Sequence, residues 1–287
     1  MRDFHMFSSQ SIGCGMYLVT ENYLPGHRCL IGVVEGSERI LAIDAGLGLG
    51  GNLRKYIESI VGSEKPMICI CTHGHTDCIG GVALFEAVYM NRAEIEANPE
   101  SFDKDFCMMQ LGMWTNHCAG LEENAKLHMT DNSTVDFKDL NDGDRFDLGG
   151  VCAEIIAVPG HTPGSVAVRI LKEGETPVTF CGDAFSAELN HLHRLNGDAI
   201  RAYAESIRRL VSRIGENEPV YSARSAVTIS RQVGLDVAQA CDEVAAGKIE
   251  TDAPFDFGFK KPENAKGPDI RLHLVNNNFI VYNADLL

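Results

Sequence analysis

The stretch Met67-Ile68-Cys69-Ile70-Cys71-Thr72-His73-Gly74-His75-Thr76-Asp77-Cys78-Ile79-Gly80-Gly81 decides how the chain is read. Its first five residues form an unbroken apolar run of strand length, the pattern of a strand buried on both faces. The run opens into a loop with two imidazoles two residues apart, a carboxylate two residues later and a thiol immediately after it. Imidazole, carboxylate and thiolate are the side chains that bind transition metals, and a loop leaving a buried strand can turn them toward one point. Gly74, Gly80 and Gly81 permit the tight path this needs. A single histidine at a strand end is ordinarily just solvated. His73, His75, Asp77 and Cys78 together, four metal-capable side chains within six residues, point instead to a metal centre.

Two more segments repeat the arrangement. Pro159-Gly160-His161-Thr162-Pro163-Gly164-Ser165 lies between the apolar runs VCAEIIAV (151–158) and SVAVRIL (165–171), and VTFCGD (178–183) ends in Gly182-Asp183. Three strand ends that each deliver a ligand-type residue are expected where sheet edges converge on one site. Further strand-length runs are MYLVT (16–20), CLIGVV (29–34), ILAID (40–44) and PVYSA (219–223), with a terminal hairpin of IRLHLV and NFIVYN joined by turn-tolerant asparagines. Helical periodicity appears in 51–61, in 198–214 with Gly215 as a stop, and at the start of 81–90, whose end turns toward a short strand. This order predicts sheets with helices packed outside. Without repeats or a compositional linker, the default is a single domain over 1–287. Residues 92–145 fit the alternation less well. Phe102, Phe106, Met108, Met109, Leu111, Met113 and Trp114 there make either a helical lid lining a pocket or a helix burying an apolar face.

The 287 residues carry 45% hydrophobic and 23% charged side chains, an ordinary globular composition. The net charge of −15 repels nucleic acid and anionic membrane, so a small-molecule substrate is the expected partner. Arg208, Arg209 and Arg213 are read as the solvated face of a helix. There is no long apolar segment and no secretory leader pattern. The ten cysteines, several inside apolar runs and none in a CxxC pair, predict a reducing, cytoplasmic setting.

THGHTDCIGG, PGHTPGS and CGDAF, in this order, resemble the motifs of the metallo-β-lactamase fold superfamily of metal-dependent hydrolases. Ile43-Asp44-Ala45-Gly46 resembles its IDxG element, whose aspartate supports the metals from behind. The resemblance spans roughly 14–226 and implies an α/β, four-layer αβ/βα sandwich of two mixed β-sheets flanked by helices. Carried over, His73, His75 and His161 match the first metal's ligands, Asp183 the bridging carboxylate and Asp77 the second metal's acid. Two positions depart. Cys78 stands where the resemblance implies a histidine, and Tyr221-Ser222-Ala223-Arg224-Ser225 replaces the turn that carries the last one.

A thiolate at Cys78 remains a competent ligand for a borderline ion, whereas a guanidinium at Arg224 cannot ligate and disfavours a second cation. The expectation is a complete first site and a weakened or absent second one, with zinc (one or two ions), iron or manganese as cofactor. If Arg224 points away, another group completes the second site, and His191 and His193 are the candidates, weighed against a plain surface role. His117 and His128, in the lid segment, carry no specific signal. The leading function is metal-assisted hydrolysis of a small, anionic ester, lactone or thioester, with Asp77 managing the water proton and Arg224 or the metal stabilising the oxyanion. The alternatives are a mononuclear non-haem iron oxygenase and a non-catalytic metal-binding relative. The segment GFKKPENAKGPDIR, before the terminal hairpin, is open between cover for the site's flank and contact within a homo-oligomer.

Overall fold

The computed structural model describes residues 6–62, 64–257 and 267–287. Positions 258–266 of the GFKKPENAKGPDIR segment lie outside the described residues.

The first sheet has the order β1 (Phe7–Gly13), β2 (Met16–Leu24), β3 (His27–Glu35), β4 (Ile40–Ile43), β5 (Met67–Ile70), β6 (Ala87–Met90), β7 (Phe137–Asp139). β1 to β4 pair antiparallel and β4 to β7 parallel. The second sheet contains β8 (Arg145–Asp147), β9 (Cys152–Ala157), β10 (Val166–Leu171), β11 (Val178–Gly182) and β13 (Val220–Ser222), antiparallel except for β11 and β13. A third, small sheet joins β12 (Leu189–His191) to β14 (Ala253–Pro254), β15 (Ile270–Val275) and β16 (Asn278–Asn283). The predicted asparagine turn closes the β15–β16 hairpin, with Asn276 and Asn277 at φ 48° and 68°.

Strand alternation builds the layers. On β3 and β4, Ile31, Val33, Ile40 and Ala42 pack outward against Leu53 and Ile57 of α1 (Leu53–Val61). Their neighbours Leu30, Val34, Leu41 and Ile43 face Ile155, Val166, Val168 and Phe180 of the second sheet. The far face of that sheet, through Ile156 and Ala167, meets a helical layer further along the chain. After α2 (Thr76–Ile79), α3 (Arg92–Ala97), α4 (Lys104–Trp114) and α5 (Ala119–His128), the chain reaches α6 (Gly197–Arg213) and α7 (Arg231–Ala245), which form this outer layer. α6 buries Ile200, Tyr203, Ile207 and Leu210, each worth about 1.5–3 kcal/mol of apolar transfer. The expected four layers are present, with the third sheet as an addition.

Three local readings are made specific. Residues 81–90 begin helically, as a short 3-10 turn at Val82–Leu84, and end in the short strand β6, as expected. Residues 92–145 are helical only as far as His128, after which β7 joins the first sheet. Here Cys107 and Leu111 of α4, with Leu121 and Ala125 of α5, pack on Cys29, Leu47 and Leu49, while Met109, Met113 and Trp114 stay exposed. Arg208 and Arg213 are not simply solvated, because Arg208 pairs with Asp242 of α7 and Arg213 with Glu154 of β9. All ten cysteines are free, seven of them buried. Among the described residues, no helix is long and apolar enough to cross a membrane.

Candidate metal centre

The C-terminal ends of β4, β5, β11 and β13 open toward one edge of the sandwich, delivering Asp44, the 72–78 loop, Asp183 and Arg224. The β9–β10 loop brings His161 to the same edge. Backbone bonds tie the two sheets there, Val166 N–H to Thr72 O (2.8 Å) and Leu30 N–H to Ala223 O (2.8 Å), while Ala223 N–H to Gly182 O (2.9 Å) continues the β11–β13 pairing within the second sheet. Gly182 has φ +56°, and a Cβ there would sit 2.5 Å from Thr72 Oγ1, so only glycine lets β11 end so close to the histidine loop.

Asp44 sits at φ 64° and accepts Thr72 N–H (2.7 Å) and Thr72 Oγ1–H (2.8 Å). Thr72 Oγ1 lies 3.1 Å from His73 Nδ1. The hydroxyl has one proton, given to Asp44, so it accepts His73 Nδ1–H and leaves the Nε2 lone pair facing the site. Burial lifts the Asp44 carboxyl to about 7, against the pull of His73 and the Thr72 bonds.

His73, His75 and His161 gather as a triad, each pair of rings edge-on with centroids 4.9–5.0 Å apart. His161 Nε2 and His75 Nδ1 are 3.1 Å apart. Burial pushes His75 down to about 4 and His161 well below its ordinary value, so both are neutral bases at pH 7. Asp183 Oδ2 lies 3.6 Å from His161 Nε2 and 4.0 Å from His73 Nε2.

Arg224 points inward. Its Nη2 lies 2.8 Å from Asp77 Oδ2 and 2.9 Å from Asp183 Oδ2, and its Nε donates to the same Asp183 oxygen at 3.1 Å. Burial alone would raise the Asp183 carboxyl, but Arg224, with His161 and His73, holds it well below the usual carboxylate range. Asp183 and Asp77 in turn push Arg224 well above its ordinary value. The other oxygens, Asp77 Oδ1 and Asp183 Oδ1, are buried without a hydrogen-bond partner among the described residues.

Cys78 is buried with Sγ 3.9 Å from His73 Nε2, and it forms a second, overlapping group with His73 and Asp77. Burial, then Asp44, Asp77 and Asp183, push its thiol well above 9, so it is protonated here. His191 and His193 lie outside both groups among the described residues. They pack on the Phe257 ring at 5.6 and 4.9 Å, and burial followed by the Arg224 charge lowers His191 to about 4. His117 is exposed and paired to Glu122 at 3.0 Å, and His128 is exposed at the end of α5. Sequence reading missed Thr72 as the partner of His73, and it missed Tyr23, whose phenol is raised by burial and by nearby Cys29 and Asp77. It also missed Glu94, whose carboxylate accepts Gly74 N–H from the histidine loop.

Residues 24–218 match the family model described as the metallo-beta-lactamase superfamily, more than half of the chain. Acyl-coenzyme A thioesterase MBLAC2 of Gallus gallus is 28% identical over 202 residues, covering 64% of this chain and 67% of that protein. Hydroxyacylglutathione hydrolase of Yersinia pestis (strain Pestoides F) is 33% identical over 150 residues, 52% of this chain and 44% of that one. Among solved structures, a beta-lactamase domain protein from Burkholderia ambifaria aligns with a TM-score of 0.58 at 15% identity over 83% of this chain and 77% of that one, a likeness of fold alone. The four-layer sandwich, the histidine motifs at its edge and these matches together place the chain in the metallo-β-lactamase superfamily, among its hydrolases.

Proposed function

We propose that the chain is a mononuclear metal-dependent hydrolase of small acyl compounds, thioesters first among them. The observation that carries this is the inward Arg224, 2.8 Å from Asp77 and 2.9 Å from Asp183, beside an intact histidine triad. The donor set fits one ion. His75 and His161 are neutral with facing nitrogens 3.1 Å apart, and buried Asp183 Oδ1 has no hydrogen-bond partner among the described residues. His73, His75, His161 and Asp183 would hold the ion. The pairing of Asp77 with Arg224 argues against a second ion on His73, Asp77 and Cys78, because a fixed guanidinium repels it. Zinc suits three imidazoles and a carboxylate, with iron or manganese as substitutes.

When bound, the ion supplies Lewis acidity, polarising a substrate carbonyl and lowering the pKa of water. Arg224 keeps Asp183 ionised, and Asp77 Oδ1, with no hydrogen-bond partner among the described residues, accepts the proton of the attacking water. Arg224 has Nε and Nη2 committed to carboxylates, so the substrate-anion role expected of it is not open to those two nitrogens. The names of the relatives, an acyl-coenzyme A thioesterase and a hydroxyacylglutathione hydrolase, support acylated thiols as substrates. A net charge of −15 supports a small-molecule partner over nucleic acid or anionic membrane, and ten free cysteines support a reducing, cytoplasmic setting.

The test is elemental analysis of protein purified without added metal, followed by a panel of thioesters, esters and lactones. About one ion per chain is expected, with thioester hydrolysis lost on chelation and in a folded Asp183→Ala protein. Two ions per chain, or turnover retained in Asp183→Ala, refutes the reading. Iron as isolated, with oxygen consumed on a thiol substrate, moves it to the oxygenase alternative.

A further inference from the structure

We propose that Glu94 is a positioning residue that clamps the two histidine loops at a common spacing and so sets the affinity of the site for its ion. This rests on His73, His75 and His161 being the ligands.

Glu94 is fully buried on α3, and its carboxylate bonds are to backbone N–H groups of the histidine loops rather than to the histidine rings. Its Oε2 accepts Gly74 N–H at 2.7 Å, between His73 and His75, and its Oε1 accepts Gly164 N–H at 2.5 Å, three residues after His161. One carboxylate therefore holds both ligand-bearing loops, reaching 20 residues back to Gly74 and 70 residues on to Gly164. A second tie, Val166 N–H to Thr72 O at 2.8 Å, joins the same loops at the strand ends. Two ties fix the relative placement of the loops where one would leave a hinge.

The clamp is itself held. Asn91 caps α3 by accepting Ala93 N–H at 3.0 Å, and its Nδ2 donates to Leu140 O at 2.9 Å, anchoring the helix to the chain beyond β7. In sequence, Asn91-Arg92-Ala93-Glu94 has the spacing of a capping box, in which the glutamate turns back to its own helix start. Here the carboxylate leaves the helix for the two glycines. Both must be small. A Cβ on Gly164 would lie 2.7 Å from Asn91 Oδ1 and 3.0 Å from Glu94 Cγ, and one on Gly74 would lie 3.0 Å from Glu94 Oε2. A glutamine at 94 can accept only one of the two N–H groups and turns its amide protons on the other. One histidine loop is then released while every ligand stays in the chain.

The test uses full-length Glu94→Gln and Gly164→Ala, the second keeping the carboxylate but driving Gly164 off it. Three quantities are read: the zinc dissociation constant by chelator competition, the visible spectrum of the cobalt-substituted protein, and the melting temperature without metal. Both variants are expected to weaken zinc at least about tenfold, the scale on which outer-shell partners tune metal affinity, and to shift the cobalt bands. A purely structural role would lower the metal-free melting temperature and leave affinity and spectrum alone. Dissociation constants within about twofold of wild type in folded variants overturn the clamp while the proposed function stands. If Glu94→Gln does not fold, Gly164→Ala decides alone. Wild-type protein that binds no zinc, iron or manganese overturns the proposed function and the clamp with it.

Discussion

Replacing Arg224 with methionine removes the charge and keeps most of the volume. Its Nη2 lies 2.8 and 2.9 Å from two carboxylates whose side chains are only 7% and 8% exposed. At an effective dielectric of about 20, two unit charges 4 Å apart attract by about 4 kcal/mol, so the two pairs are worth about 8 kcal/mol before desolvation and carboxylate repulsion are subtracted. Breaking a buried pair costs about 3–5 kcal/mol net. The guanidinium side chain keeps 32% of its area in solvent, which favours the lower end, about 3 kcal/mol. At about 2–4 °C per kcal/mol, the metal-free melting temperature should fall by about 6–12 °C. Freed from the guanidinium, Asp77 and Asp183 become a site for a second cation beside His73 and Cys78. Added zinc should therefore recover much of the lost stability, and the ion count should rise from one to two per chain. The assay is thermal unfolding in chelator and in excess zinc, with metal content measured on the same samples. An unchanged metal-free melting temperature, or a loss that zinc does not repair at a constant count of one, would refute the idea that Arg224 stands in for a cation.

Two further tests probe the scaffold. Glu218 is buried and accepts Arg169 Nε and Nη2 (2.9 and 2.7 Å), Thr179 Oγ1 (2.5 Å) and Gly215 N–H (3.0 Å), which together hold its carboxyl below 4.5 despite burial. Glu218→Gln should cost about 3 kcal/mol at neutral pH. Because the folded carboxyl titrates below its unfolded value, the gap to wild type should be full above pH 4.5 and close as pH falls through the folded pKa; a gap that widens in acid would contradict this. Glu21 accepts the N–H groups of Leu47, Leu49 and Gly50 at 2.6, 2.6 and 2.7 Å and that of Gly48 at 3.3 Å. Glu21→Gln sets amide protons against some of these donors and should cost about 2–4 kcal/mol in urea unfolding, with faster amide exchange at Leu47 and Leu49; a cost below about 0.5 kcal/mol would sink the assignment.

The strands and the histidine motifs were legible because their signals are local. A buried strand is a run of apolar residues, and THGHTD names its own chemistry within six positions. β1 escaped notice because Phe7–Gly13 is mostly exposed and polar and is held as a strand only by pairing with β2. α7 did carry a helical signal in Val237, Ala240, Cys241 and Val244, but Gly234 within it resembles a break. The structure uses that glycine to bring α7 close to Val211 of α6. Glu94 had no such signal, since its partners Gly74 and Gly164 offer only backbone N–H groups, which sequence does not display. The direction of Arg224 was likewise undecidable from the chain. A guanidinium turned outward and one turned onto two carboxylates have the same spelling.

Cys78 and Arg224 stand where the resemblance implies two histidines, and both departures act on the same carboxylates. A protonated thiol adds no charge beside His73, whereas Arg224 adds a permanent one against Asp77 and Asp183. Two carboxylates and one guanidinium leave a single net negative charge, and one divalent ion would reverse it to a single positive charge. With a second ion in place of the guanidinium, the same carboxylates would carry twice that positive charge. The one-ion site with Arg224 thus keeps the sign needed to stabilise a developing oxyanion while making one of its three positive charges independent of metal supply. Removing the ion would abolish the Lewis acid but would not leave Asp77 and Asp183 to repel each other unopposed. The metal-free protein should accordingly keep its β11 and β13 loops in place, and it is this pre-set geometry that would let a single ion bind without first rebuilding its site.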